Sequence, residues 1–147
     1  MKIKLREILA VVSGEWLGQP EELDAQVEGV SIDTRQMTAG DLFVPLKGEK
    51  TDGHLYVEQA FELGARAAFW KREVPLDSNL LGKSLMVVSD PLLAMQQLAS
   101  HYRRSLSVEV VGITGSNGKT TTKDLVAAVL AAKASVHKTS GNLNNHL

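Results

Sequence analysis

The sequence predicts an α/β fold: a small N-terminal α/β domain followed by the start of a P-loop parallel-sheet domain. Three observations lead there. Strand-like apolar runs alternate with helix-like segments along the first ninety or so residues, the pattern of α/β layers. The stretch Gly112–Thr122 (GITGSNGKTTT) then joins an apolar run to a helix-like run through a glycine-rich turn. After that turn only one further strand-like segment remains, so a single βαβ unit follows.

Leu5, Ile8, Leu9 and Val12 recur at helical spacing, and Ser13-Gly14 closes a short amphipathic helix. Val27–Asp33 (VEGVSID) reads as a strand, Thr38–Asp41 as a turn and Leu42–Leu46 as a buried strand. The polar loop Lys47–Gly53 leads to a helix over His54–Leu63, with Asp52 placed to cap it and Gly64 to stop it. Ala67–Trp70 and Leu85–Val88 are two more strands, separated by the loop around Pro75–Gly82. Pro91 opens a helix to about Arg104, with Leu92, Met95, Leu98 and Ala99 on one face. The expected organisation is a first domain over residues 1–89, a connecting helix over 90–106, and a nucleotide-binding segment over 107–147. That segment holds strand Val108–Ile113, the glycine-rich turn, a helix and a strand near Ser135–Lys138.

Composition narrows the function classes. A net charge of −1 gives no overall field for nucleic acid or an anionic membrane, so phosphate recognition must be local. The 147 residues contain no cysteine, which excludes disulfides, thiolate catalysis and thiolate metal sites. No stretch approaches the ~20 apolar residues of a membrane helix, and the run Ile8–Val12 is too short for a signal peptide, so a cytoplasmic location is expected. His54, His101 and His137 lack metal-ligand spacing, and no zinc site is expected. Trp16 and Trp70 read as packing residues.

The glycine-rich turn carries chemistry. Gly115 and Gly118 allow a tight bend in which successive N–H groups face phosphate oxygens, and the following helix adds its N-terminal partial charge. Lys119 supplies a cation for the outer phosphates, and the Thr120 hydroxyl can ligate magnesium. The expected nucleotide contacts are Thr114, Gly115, Ser116, Asn117, Gly118, Lys119, Thr120 and Thr121, with ATP and Mg2+ as cofactors. Ile113 stands where a generic P-loop has its first glycine, giving a compact TGSNGKT core. Nothing after Thr120 supplies the acidic second magnesium ligand of such enzymes, and Asp124 reads as a solvated helix residue, so a longer parent chain is expected.

Thr114–Thr122 followed by Lys123-Asp124 resembles the ATP loop of the Mur ligases, which add amino acids to the peptidoglycan precursor. Upstream, Ser31–Arg35 (SIDTR), Gly40–Leu46 (GDLFVPL), Lys47–His54 (KGEKTDGH) and Ala60–Ala65 (AFELGA) resemble the N-terminal domain of that family. Ser140–Leu147 (SGNLNNHL) resembles a Gly-Asn-x-Asn-Asn segment of the branch that joins D-alanyl-D-alanine to UDP-N-acetylmuramoyl-tripeptide. The resemblance implies ATP-dependent amide formation through an acyl phosphate, with Lys119 and Thr120 as the catalytic residues and those two small molecules as substrates. It implies no nucleic-acid or membrane partner and a monomeric parent. The branch that adds the third amino acid, and a nucleotide-binding module without ligase activity, remain alternatives.

The resemblance also implies a UDP-sugar site in the first domain. Thr34 and Arg35 follow a strand end, and Lys47, Asp52, Gly53 and His54 lie in a loop before a helix. Arg grips phosphate bidentately and Thr can donate to it. Asp33 can equally organise its turn, and Asp52 can equally cap its helix. Asn142, Asn144 and Asn145 would sit beside the active site, although Gly-Asn clusters also form ordinary turns.

Overall fold

A computed structural model describes residues 2–48 and 51–139. The chain divides into two compact units, residues 1–106 and 107–147.

In the first unit, β1 (Ile3–Lys4) pairs antiparallel with β3 (Gln26–Val27), and α1 (Leu5–Val12) follows β1 directly. A five-stranded sheet has the order β2-β7-β6-β5-β4, built from Glu15–Trp16, Leu85–Val88, Ala67–Lys71, Leu42–Phe43 and Val30–Ser31. Strands β4 to β7 are mutually parallel, and β2 closes one edge antiparallel to β7. Because side chains alternate across a strand, the sheet sorts its apolar residues onto two faces. Leu42, Val44, Ala67, Phe69, Met86 and Val88 pack with Leu5, Ile8 and Val12 of α1 and with Ala94 and Leu98 of α3 (Pro91–Ser105). Phe43, Ala68, Trp70, Leu85 and Val87 pack with Val57 and Ala60 of α2 (Val57–Glu62) and with Leu80. The buried apolar runs of the sequence are thus strands covered on both faces, the normal state of a parallel sheet.

Several helix ends are encoded locally. Asp90 caps α3 by accepting from the N–H groups of Leu92 and Leu93 (2.8 and 3.1 Å), and Pro91 occupies the first helical turn. Gly64 ends the α2 region at φ +92°, a left-handed conformation suited to glycine. The helix expected over His54–Leu63 is two pieces: a 3-10 turn, Gly53–Tyr56, and then α2.

The single strand expected over Val27–Asp33 is also two. Val27 pairs with Ile3 in the small sheet, while Val30 pairs with Leu42 in the large one. Gly29 between them lies against the Asp41 carboxylate, where a side chain would collide. The helix expected as a connector contributes Ala94 and Leu98 to the first unit's core, and His101 meets Glu7 of α1 at 2.8 Å.

In the second unit, α4 spans Lys119–Ala131. The strands expected over Val108–Ile113 and Ser135–Lys138 enter no ladder among the described residues, so these segments are not strands here. A strand exists only through inter-strand hydrogen bonds. Val108, Val110 and Val111 keep an apolar sequence while 53–67% exposed. The segment after α4 is tied back to it by Lys138–Asp124 (2.7 Å) and by Lys123 Nζ donating to the Thr139 carbonyl (2.7 Å). Asp124 is therefore ion-paired, and Lys138 lowers its pKa. No helix among the described residues is long and apolar enough to cross a membrane.

Candidate functional site

The second unit presents a ready anion cradle. Gly118 caps α4 in the left-handed conformation (φ +76°), and no side chain caps the helix. The Thr122 N–H donates to the Gly118 carbonyl at 2.8 Å, the opening bond of the helix. The N–H groups of Lys119, Thr120 and Thr121 precede that bond, so they lack intrahelical acceptors and carry the positive end of the helix dipole. Gly115 also lies at positive φ (+152°). A Cβ on Gly118 would meet nothing within 4 Å, so the approach to the helix end is open. The Lys119 ammonium donates to the Gly115 carbonyl at 2.6 Å, which holds its charge over the loop. Thr114, Ser116, Asn117, Thr120 and Thr121 are all exposed. These groups suit a polyphosphate: convergent N–H donors, one mobile cation and hydroxyls beside them. The Thr120 hydroxyl is an oxygen donor of the type magnesium takes.

The first-unit candidates gather where the parallel strands end. After β4, Asp33 accepts from the backbone N–H of Arg35 (3.0 Å) and receives its guanidinium at 2.9 and 2.7 Å. The Arg35 hydrogen bonds and charge lower the Asp33 carboxyl to about 2. Asp33 therefore organises its turn, while the Arg35 side chain remains 86% exposed. Thr34 donates its hydroxyl to Gln59 Oε1 on α2 at 3.0 Å.

After β5, Lys47 and Asp52 form an antiparallel bridge. Asp52 caps the 3-10 turn by accepting from the His54 N–H at 3.0 Å, and His54 Nδ1 lies 2.7 Å from the same oxygen. Those two contacts, the backbone one first, lower the Asp52 pKa. The other ring nitrogen, Nε2, accepts from the Lys71 N–H at 3.2 Å, and the ring stands edge-on to Trp70 at 4.9 Å. A backbone N–H only donates, so Nε2 carries no proton, and Nδ1–H points at Asp52. The His54 side chain is 8% exposed. Gly53 is confined by backbone: a Cβ there would lie 2.7–2.8 Å from Leu46 N, Leu46 O and Pro45 C.

The structure thus brings Thr34, Arg35, Lys47, Asp52, Gly53 and His54 to one end of the sheet, and the phosphate loop to one end of α4. Asn142, Asn144 and Asn145 lie outside the described residues. Gln59 and Lys71, which engage Thr34 and His54, escape sequence reasoning. They lie 25 and 17 residues from those partners and belong to no motif.

The family model "Mur ligase family, catalytic domain" matches residues 26–103, and "Mur ligase middle domain" matches residues 113–147. A UDP-N-acetylmuramoyl-tripeptide–D-alanyl-D-alanine ligase of Bacillus subtilis is 46% identical over 147 residues, covering 100% of this chain and 32% of its own length. A crystal structure of MurF from Acinetobacter baumannii superposes with a TM-score of 0.85 at 32% identity, covering 99% of this chain and 31% of that one. A MurF ligase from Thermotoga maritima in complex with ADP gives a TM-score of 0.67 at 34% identity over 78% of this chain and 26% of its own. The chain spans about a third of the length of these relatives. With one family model covering over half of it and a second matching the segment that holds the phosphate loop, the chain belongs to the Mur ligase family.

Proposed function

We propose that this chain supplies the UDP-sugar-binding domain and the opening of the ATP-binding domain of a cytoplasmic ligase that joins D-alanyl-D-alanine to UDP-N-acetylmuramoyl-tripeptide. The observation that carries this reading is the 46% identity, across every residue of the chain, to a ligase of that specificity. The phosphate-loop geometry supports it, as does the ADP complex of the Thermotoga maritima relative.

Amide formation from a carboxylate needs activation, because a carboxylate is a poor electrophile at neutral pH. ATP supplies a phosphoryl group that turns the peptide carboxylate into an acyl phosphate, whose phosphate the dipeptide amine displaces. The protein's share is positioning and charge neutralisation. The backbone N–H groups of Gly115–Gly118 and of the first turn of α4 hold the phosphates, aided by Thr114 and Thr121. Lys119 neutralises their outer charge, and the Thr120 hydroxyl would hold magnesium, which would supply further charge neutralisation when bound. In the first unit, Arg35 and Lys47 offer exposed cations for the diphosphate of the sugar nucleotide. Asn142, Asn144 and Asn145 are assigned to the vicinity of the reacting groups on resemblance alone.

The test uses the full-length protein. Lys119→Ala should lower ligation about a hundredfold or more and leave UDP-sugar affinity intact, while Arg35→Ala should weaken UDP-sugar binding and spare ATP. Calorimetry in which Lys119→Ala abolishes UDP-sugar binding would contradict this division. Turnover with a single amino acid in place of D-alanyl-D-alanine would move the assignment to the neighbouring branch.

A further inference from the structure

His54 ties the candidate sugar-nucleotide site together without an atom left over for a ligand. Its two ring nitrogens are committed to Asp52 and to the Lys71 N–H, its ring stands perpendicular to that of Trp70, and its side chain is 8% exposed. The groups it joins lead directly to the exposed candidates. Asp52 bridges Lys47 and caps the turn that ends at Tyr56. Tyr56 lies close enough to bear on the charge of Arg35, and Gln59, one helical turn further on, holds Thr34. Lys71 closes the other side, with its ammonium on Glu73 at 2.8 Å and within the influence of Asp90 and Asp52.

We propose that His54 is a positioning residue: as the Nδ1–H tautomer it locks the β5–α2 connection to the end of β6, holding the Lys47–Asp52 bridge and the turn that ends at Tyr56 at the end of the sheet where Arg35 lies, for the sugar nucleotide. The proposal rests on the UDP-sugar reading above and assigns His54 no contact with the ligand. The two hydrogen bonds can be separated by substitution. The side-chain nitrogen of an asparagine falls where Nδ1 lies, so His54→Asn keeps a donor for Asp52 and leaves the Lys71 N–H unpaired. The side-chain oxygen of a glutamine reaches the place of Nε2, so His54→Gln keeps the acceptor that spans to β6.

Steady-state kinetics of the full-length ligase tests this. His54→Asn should raise KM for the UDP-sugar roughly tenfold, the effect of one unpaired, partly buried donor. The kcat at saturation and KM for ATP should stay unchanged. His54→Gln should restore most of the loss. Nitrogen NMR of the imidazole in the unsubstituted protein gives an independent readout, with a protonated Nδ1 and a bare Nε2 expected. The opposite tautomer, equal defects in both variants, or a fall in kcat without a change in KM would overturn the proposal. A wild-type enzyme that binds no UDP-sugar overturns the functional reading along with it. Binding by the wild type with both variants unaffected overturns only the role of His54.

Discussion

Replacing Gly53 by alanine isolates a steric demand that the glycine meets by lacking a side chain. The new methyl would stand 2.7 Å from Leu46 N, 2.8 Å from Leu46 O and 2.8 Å from Pro45 C. Favourable carbon contacts lie near 3.5–4.0 Å, so at least about 0.8 Å of movement is required. Pro45 is fully buried in the extension of β5, which leaves the 3-10 turn as the part that yields. Overpacking of this kind costs about 1–3 kcal/mol. Displacing the turn also weakens the Gly53 N–H bond to the Leu46 carbonyl, at 2.9 Å, a loss of about 1 kcal/mol. The lower backbone entropy of unfolded alanine offsets about 0.4–1 kcal/mol. The net expectation is about 1–3.5 kcal/mol, or a fall in Tm of roughly 5–25 °C for a unit of this size. Gly82→Ala is the control: it sits at φ +78° with nothing within 4 Å, so only the left-handed backbone resists, at about 1 kcal/mol. Denaturation followed by tryptophan fluorescence reads the first unit selectively, because Trp16 and Trp70 both lie there. A Gly53→Ala protein no less stable than Gly82→Ala would refute the steric account.

Leu98→Ala should cost about 2–5 kcal/mol in the same assay, since Leu98 is 1% exposed in the core beneath α3. Val129→Ala on α4, 73% exposed, should stay within about 0.5 kcal/mol by hydrogen exchange of the helix. Asp33 has a folded pKa of about 2, below the ordinary value near 3.9, so the Arg35 contact stabilises fully above about pH 4 and is lost as pH falls through 2. Carboxyl NMR should find its midpoint near 2, and Arg35→Ala should return it toward 4. A midpoint unmoved by that substitution would remove the Arg35 guanidinium as the main cause.

The phosphate loop was legible in the sequence because everything it needs is contiguous. Gly118 takes the left-handed cap, the three following N–H groups are freed by helix geometry itself, and Lys119 reaches back only four residues to Gly115. The Asp52 cap, the helix start at Pro91 and the helical spacing of α1 are local in the same sense. Pairing was not. That Val27 and Val30 serve different sheets follows from the register of Ile3 and Leu42, far from either in sequence. Whether Val108–Ile113 forms a strand depends on a neighbour to pair with, whatever its own composition. In the sequence His54 is offered, through the resemblance, as a sugar-nucleotide contact in a loop leading to a helix start. Its contact with Asp52 is local, but its commitment to the Lys71 N–H was decided only when the sheet brought the ends of β5 and β6 side by side. Periodicity and capping are properties of neighbouring residues, so the sequence carries them. Hydrogen-bond partners across a sheet are set by register, which only the folded chain fixes.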